Sequence, residues 1–384
     1  MIYIVRILVF FLFVGTVFLI SNKMFDSQVM PKWIWTETFL GVLGIAISMT
    51  LFFKSVRLKW DYCFLFKVIV FVCICQAFYG LLNYFNILEF SYSSQFITGS
   101  FENMAGFVSC LCFGFPFILY FFKNKNRIIR LLCTFLCLIT FLTVLLSASR
   151  CGILCVIVSL FVYIISKNKR KSYSWVGALV LVVILTTFFY FKKDSISGRF
   201  LIWKCSLDMI ADHPIEGKGA GSFIAHYMNY QARYFKTNPN SKYQMLADSV
   251  RHPFNEYVYL TIQYGIIALS ILLLFVVFVV WCYLKCPSDE TFIYLLTLLS
   301  IALFSCFSYP FRYPFTWVIL SICIGGLIRF VFDFMLKFKY AKMLLGVLVL
   351  SCSIVLVLNS IWKVKNEIQW KKVNTLCVGI EEKI

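Results

Sequence analysis

The sequence predicts an all-α fold: a polytopic transmembrane helix bundle of about eleven spans, with one large extramembrane loop that contains amphipathic helices. Three observations predict it. Of 384 residues, 61% are hydrophobic and only 14% are charged, too little polar surface for a soluble body of this size. Apolar runs of a length that crosses a hydrocarbon core of about 30 Å recur along the whole chain. The cations between those runs are concentrated in every second connection.

The runs are 2–20, 33–53, 62–82, 101–122, 129–147, 152–166, 174–191, 257–284, 291–307, 313–332 and 343–362. The first carries Arg6 but is followed by no small-x-small cleavage pattern, so it reads as a retained span rather than a signal peptide. One set of alternating connections holds 15 cations: Lys54, Arg57, Lys59, Lys123, Lys125, Arg127, Arg130, Lys167, Lys169, Arg170, Lys171, Lys285, Lys337, Lys339 and Lys342. The short connections of the other set hold four: Lys23, Lys32, Arg150 and Arg312. The positive-inside rule then puts the N-terminus in the cytoplasm, and an odd number of spans puts the C-terminus outside. The net charge of +19 therefore reports topology and not nucleic acid. Residues 1–362 read as one membrane domain and 363–384 as a short periplasmic tail. The 16 cysteines lie mostly inside apolar runs, where they behave as small hydrophobes, and Cys73 and Cys75 do not have a zinc spacing. No metal and no cofactor are expected.

The connection 192–256 is by far the longest and falls on the outer side; long loops translocate largely regardless of their charge. Phe200, Trp203, Leu207 and Ile210 repeat at three and four residues, and so do Phe223, Tyr227, Tyr230 and Tyr234. This spacing predicts two amphipathic helices, lying on the membrane interface or capping the bundle. Asp212-His213-Pro214 ends the first, and Gly217-Lys218-Gly219-Ala220-Gly221 joins it to the second. No strand precedes that glycine cluster, so it reads as a turn and not a nucleotide site.

Charges that topology does not explain are candidates for chemistry. Arg6 and Lys67 sit a turn inside their spans and can snorkel to the surface. Arg329 and Asp333 are four apart and can pair on one helix face. Arg150 differs, because it occupies a very short turn on the side poor in cations. Arg199 opens the first loop helix, and Arg251 and His252 close the loop just before a long span. Guanidinium forks at one membrane face suit a diphosphate at headgroup level. Of the three histidines, His213 precedes a proline at a helix end and suits a cap, and His226 lies in an aromatic-rich helix. His252 stands where a neutral imidazole can take a proton from a sugar hydroxyl; the same position also suits a structural histidine. Asp248 and Glu256 are the neighbouring carboxylates.

Together these residues resemble the signature loop of the O-antigen ligase and O-antigen polymerase superfamily. The resemblance rests on Ser197-Gly198-Arg199 with Trp203, on Asp212-His213-Pro214, on Gly217-Lys218-Gly219 and Gly221-Ser222-Phe223, and on His252-Pro253-Phe254-Asn255-Glu256-Tyr257. Earlier, Thr98-Gly99-Ser100-Phe101-Glu102-Asn103 with Ala105-Gly106 is similar to the family's Gly-Thr-Phe-x-Asn-x-Asn-Gly element, and Ser149-Arg150-Cys151-Gly152 to its Ser-Arg-Gly element. The resemblance runs from about residue 95 to 285, and the tail from Trp362 is similar to the start of an extension in Bacteroidetes-like members.

That resemblance implies a metal-independent membrane glycosyltransferase of the bacterial inner membrane, acting in O-antigen, lipopolysaccharide or other cell-surface polysaccharide biosynthesis. Its donor would be a glycan on undecaprenyl diphosphate, and its acceptor a glycan, lipid A core or a protein hydroxyl. It implies His252 as the base, Arg150 and Arg199 as diphosphate ligands with Arg251 a further candidate, and Asn255, Glu256 and Asp248 as supporting groups. Pro253 and Phe254 intervene between His252 and Asn255, which departs from the family's His-Asn-Glu run. A protein O-oligosaccharyltransferase of the same superfamily is the alternative reading. From another class, a flippase or transporter of lipid-linked sugar would need charges deep in the bundle and often an internal repeat, and neither is evident.

Overall fold

The computed structural model describes residues 2–53, 61–87, 97–167 and 193–381, and among them all regular structure is helical. The expected run at 174–191, with Lys54, Arg57, Lys59, Lys169, Arg170 and Lys171, lies outside the described residues. Seven of the described helices are long and apolar enough to cross a membrane, or eight if one bent pair is a single span. Two further expected spans are helices of 17 residues each, α1 (Ile2–Phe18) and α10 (Asp289–Ser305), about 25 Å long at 1.5 Å per residue. The protein is a multi-pass, all-α membrane protein. Its described residues divide into two compact units, a division the sequence alone did not suggest.

The first unit comprises residues 1–149, 288–297 and 312–384. It contains α1, α2 (Val29–Phe53), α3 (Tyr62–Tyr84), α4 (Met104–Tyr120), α5 (Arg127–Leu146), the start of α10, α11 (Pro314–Leu327), α12 (Arg329–Met335) and α13 (Lys339–Glu381). Helix α4 is buried on all sides from Gly106 to Tyr120 and forms the centre. Its close packing depends on small residues, as expected where apolar helices associate without a hydrophobic drive. A Cβ on Gly114 would lie 2.1 Å from Cys73 Sγ, and one on Gly106 would lie 2.7 Å from the Tyr313 ring.

Several charges in this unit meet opposite charges. Glu37 pairs with Lys363 and accepts from Asn359, which ties α2 to α13. Arg6 pairs with Asp61, which adds a partner to the expected snorkelling. Arg329 pairs with Asp333 at 3.4 Å as the spacing predicted, and also donates to Tyr62.

Three boundaries differ from the sequence reading. The expected span 313–332 is α11 and α12, bent by 62° around Ile328. Lys32, assigned to a connection, lies inside α2 and is 1% exposed. Its ammonium is satisfied by the Gln28 and Ser100 carbonyls at 3.0 and 2.7 Å and by the Phe101 ring. Helix α13 does not stop at Trp362 but continues to Glu381. At 43 residues it is about 65 Å long, roughly twice the hydrocarbon core. Its extension receives the Asp26 amide on Glu367 at 3.0 Å.

The second unit comprises residues 150–287 and 298–311. It holds α6 (Arg150–Lys167), α7 (Lys193–Asp212), α8 (Ser222–Thr237), α9 (Glu256–Lys285) and the end of α10. The long loop is structured, as its length requires. Helices α7 and α8 share a core of Leu201, Ile202, Cys205, Met209, Phe223, Tyr227, Tyr230, Tyr243 and Ile262. The α8 stripe is the expected one. On α7 the buried stripe is rotated: Phe200 and Leu207 stay 49% and 60% exposed, while Leu201, Cys205 and Met209 are buried. Both rows of α7 are apolar, so spacing alone fixes the period but not the phase.

Helix α9 is interrupted. Gly265 has φ 67° and ψ −169°, a backbone conformation essentially reserved for glycine. The turn between α7 and α8 enters the break. The carbonyls of Ile262 and Gln263 accept from the Lys218 and Gly219 amides at 2.8 and 2.9 Å, and the Ile266 amide donates to the Pro214 carbonyl at 2.9 Å. Backbone groups released by the break are thus satisfied by the inserted turn. Beyond Gly265, residues 266–285 alone are about 30 Å long and can cross the hydrocarbon core. The segment read from sequence as one span is therefore a span preceded by a separate short helix, 256–264.

Candidate active site

Three local features of the second unit position the candidate residues, and α6 begins at Arg150. Arg199 projects from the first turns of α7. Trp203, one turn on, donates its indole N–H to the Pro253 carbonyl at 2.9 Å and so anchors the segment that carries His252. Asn255 caps α9, its Oδ1 accepting from the Tyr257 and Val258 amides at 2.9 and 3.0 Å. Such a cap contributes about 1 kcal/mol.

Between His252 and that cap, Phe254 adopts φ +54°. A bulky residue in this region is strained by about 1–3 kcal/mol, and such strain concentrates at functional sites. The conformation turns the Phe254 ring back onto two neighbours: it lies 5.2 Å from the Arg199 guanidinium and 5.4 Å from the Tyr309 ring. The residues that interrupt the family's His-Asn-Glu run thus have structural work: Pro253 accepts from Trp203, and Phe254 packs against Arg199.

Arg199 is held by neutral groups. Its Nη1 donates to the Phe307 carbonyl at 2.9 Å, and the Phe254 ring covers it. Burial lowers its pKa from the ordinary value, and the neighbouring Arg150 acts in the same direction. A guanidinium nonetheless keeps its proton at any biological pH.

His252 stacks on Tyr309, with ring centroids 4.5 Å apart and planes within 13°, and meets Tyr259 edge-on at 6.0 Å. The Glu256 carboxylate accepts the Phe311 amide at 3.2 Å. Arg199, His252 and Glu256 therefore belong to one neighbourhood of the second unit, linked through residues 307–311, and Arg150 acts electrostatically on Arg199.

Other expected site residues stand apart. Arg251 and Asp248 are exposed, and the Asp248 carboxylate accepts from the Ser249 amide beside it. His213 and His226 are exposed as well. Asn255 acts as a helix cap. Tyr309, Phe307 and Trp203's anchoring bond were not foreseen; the aromatic stretch Phe307-Ser308-Tyr309-Pro310-Phe311 is the only trace of the first two in the sequence. Among the described residues, no group of three His, Cys, Asp or Glu side chains comes together as a metal site would require.

The Thr98–Gly106 element lies in the first unit. Asn103 caps α4 through the Ala105 and Gly106 amides at 2.9 and 3.2 Å. Ser100 donates to the Val17 carbonyl at 2.6 Å. Glu102 pairs with Arg312 at 2.9 Å.

Residues 133–273 match the model of the O-antigen ligase family. That stretch, which carries the long loop, is thus similar to the O-antigen ligase family, as the sequence motifs led one to expect. The matched stretch contains Arg150, Arg199, His252 and the inserted turn 214–219, but neither the Thr98–Gly106 element nor residues 302–311. Comparison with curated proteins gives no match. The match supports a glycosyltransferase of the ligase or polymerase type.

Proposed function

We propose that this protein transfers a glycan from undecaprenyl diphosphate to an acceptor hydroxyl at the outer face of the bacterial inner membrane. The observation that carries the reading is the Arg199 guanidinium, held by the Phe307 carbonyl and the Phe254 ring and joined through Tyr309 to His252. The acceptor oxygen attacks the anomeric carbon in line. A new C–O bond forms as the bond to the diphosphate oxygen breaks, and its electron pair leaves with the lipid diphosphate. His252 takes the acceptor's proton. Arg150 and Arg199 stabilise the charge that gathers on the leaving group. Because arginines supply that stabilisation, the reaction is expected to proceed in chelator. Glu256, held on the same segment, is the next carboxylate to consider as a base.

The cation bias supports an N-terminus in the cytoplasm and a 192–256 loop in the periplasm. The test combines topology and chemistry. A reporter fused after Lys171 should report cytoplasm, and one near Asn238 periplasm. Purified protein in nanodiscs should move sugar from a synthetic undecaprenyl-diphosphate glycan to an acceptor in the presence of chelator. Both reporters on one side, or no transfer to any acceptor of the three classes, contradicts the reading. Glycans from a deletion strain separate the acceptors: short chains indicate a polymerase, unlinked polymer a ligase, and unmodified protein a protein glycosyltransferase.

A further inference from the structure

Residues 302–311 lie beyond the family-matched stretch, yet Arg199, His252 and Glu256 are all fastened to them. The Tyr257 hydroxyl donates to the Ala302 carbonyl at 3.0 Å. Three alternate residues then hold three site groups: the Phe307 carbonyl takes Arg199 at 2.9 Å, the Tyr309 ring takes the His252 imidazole at 4.5 Å, and the Phe311 amide takes Glu256 at 3.2 Å. Tyr309 is central to this platform, because it also meets Phe254, the ring that covers Arg199.

We infer that Tyr309 is a positioning residue for the proton transfer at His252. An imidazole exchanges protons and hydrogen bonds through its ring nitrogens, in the ring plane. A face-to-face stack at 13° fixes that plane. It closes one face of the ring and sets the plane in which the ring nitrogens lie. Rotating the imidazole out of this orientation would break the stack, so the acceptor finds the base already aimed. Alignment of this kind governs rate rather than donor affinity, and a misplacement of about 1 Å can cost 10²-fold. The inference rests on the proposed role of His252 as the base.

The experiment uses the full chain in nanodiscs with a synthetic undecaprenyl-diphosphate glycan, and compares wild type with Tyr309→Phe and Tyr309→Met. Phe keeps the ring and should keep most of kcat. Met keeps apolar bulk without the ring and should lower kcat by roughly 10- to 100-fold, with the KM for donor little changed. A second readout does not depend on turnover. With only three histidines in the chain, labelled imidazole signals can be assigned by replacing His213 and His226 in turn. The His252 Cε1–H should be displaced by the ring current in wild type and Tyr309→Phe, and should move back in Tyr309→Met while the other two stay put. Wild-type kcat in Tyr309→Met, equal loss in Tyr309→Phe, or a His252 signal indifferent to the ring would each overturn the inference. The functional reading would fail differently: wild type would transfer nothing, although the His252 signal still reported the stack.

Discussion

The ion pairs of the first unit and the Arg199 site of the second hold charge in opposite ways. In the first, carboxylates answer cations: Glu102 with Arg312, Glu37 with Lys363, Asp61 with Arg6, Asp333 with Arg329. In the second, Arg199 is held by a backbone carbonyl and an aromatic face, with Arg150 in range. A pre-formed ion pair must be broken before either partner can serve a ligand, and its loss leaves an uncompensated charge. A cation supported by neutral dipoles keeps its charge for an arriving anion. The contrast separates charges that hold a membrane fold together from charges kept ready for chemistry.

The sharpest way to break that contrast is to remove one arginine from each unit. Arg199→Ala should reduce transfer by about 10²–10³-fold or more while leaving the thermal midpoint in detergent near wild type. Arg199→Lys should recover little, since a point charge does not reproduce the fork. Arg312→Ala should do the reverse and cost about 2 kcal/mol of stability by stranding Glu102. Equal losses of midpoint in Arg199→Ala and Arg312→Ala would erase the distinction. Within the second unit, His252→Ala should lose about two to four orders of magnitude in rate. The exposed His213 and His226 should tolerate alanine, and comparable losses at all three would remove His252 from its role.

A smaller effect is expected where the loop is bolted to the span. In Gly265→Ala, a Cβ would sit 1.9 Å from the Ile215 carbonyl oxygen, on a backbone that disfavours any side chain. The cost is about 1–3 kcal/mol, and limited proteolysis should then cut the 193–255 loop faster. Unchanged protection would mean that the inserted turn does not hold the loop. The smallest effect concerns Asp212, exposed at the end of α7. A hydrogen bond from Tyr230, aided by Lys218 and Arg233, holds its carboxyl below the ordinary range. Its contribution is therefore present above the unfolded carboxylate pKa near 4 and is lost as pH falls through the lower folded value. Midpoints measured from pH 6 down to pH 3 should decline more gently in Asp212→Asn than in wild type.

Much of this was legible in the sequence, for identifiable reasons. Spans announce themselves by apolar length, and Arg150, Arg199 and His252 stood out as polar residues at the ends of apolar runs. The paired Arg329 and Asp333 followed from a four-residue spacing. The break at Gly265 was hidden because a lone glycine in an apolar run carries little signal, and the turn that fills the break comes from 46 to 51 residues earlier. The extension of α13 was hidden because charged residues from Lys363 onward mark the end of an apolar run, not the end of a helix, and no proline follows Pro314 to stop one. Tyr309 was beyond reach because its stack on His252 joins residues far apart in sequence, and an aromatic residue near a span end is ordinary in a membrane protein.

The central claim is that Arg199, which meets no carboxylate among the described residues, is kept for a diphosphate. Its most direct test is the affinity of undecaprenyl diphosphate, the product that leaves, for the protein in nanodiscs. Arg199→Ala should bind it at least about tenfold more weakly than wild type, a difference of roughly 1.4 kcal/mol, and Arg233→Ala, altered at an exposed position of the same unit, should bind it as wild type does. Equal affinity in wild type and Arg199→Ala would contradict the account.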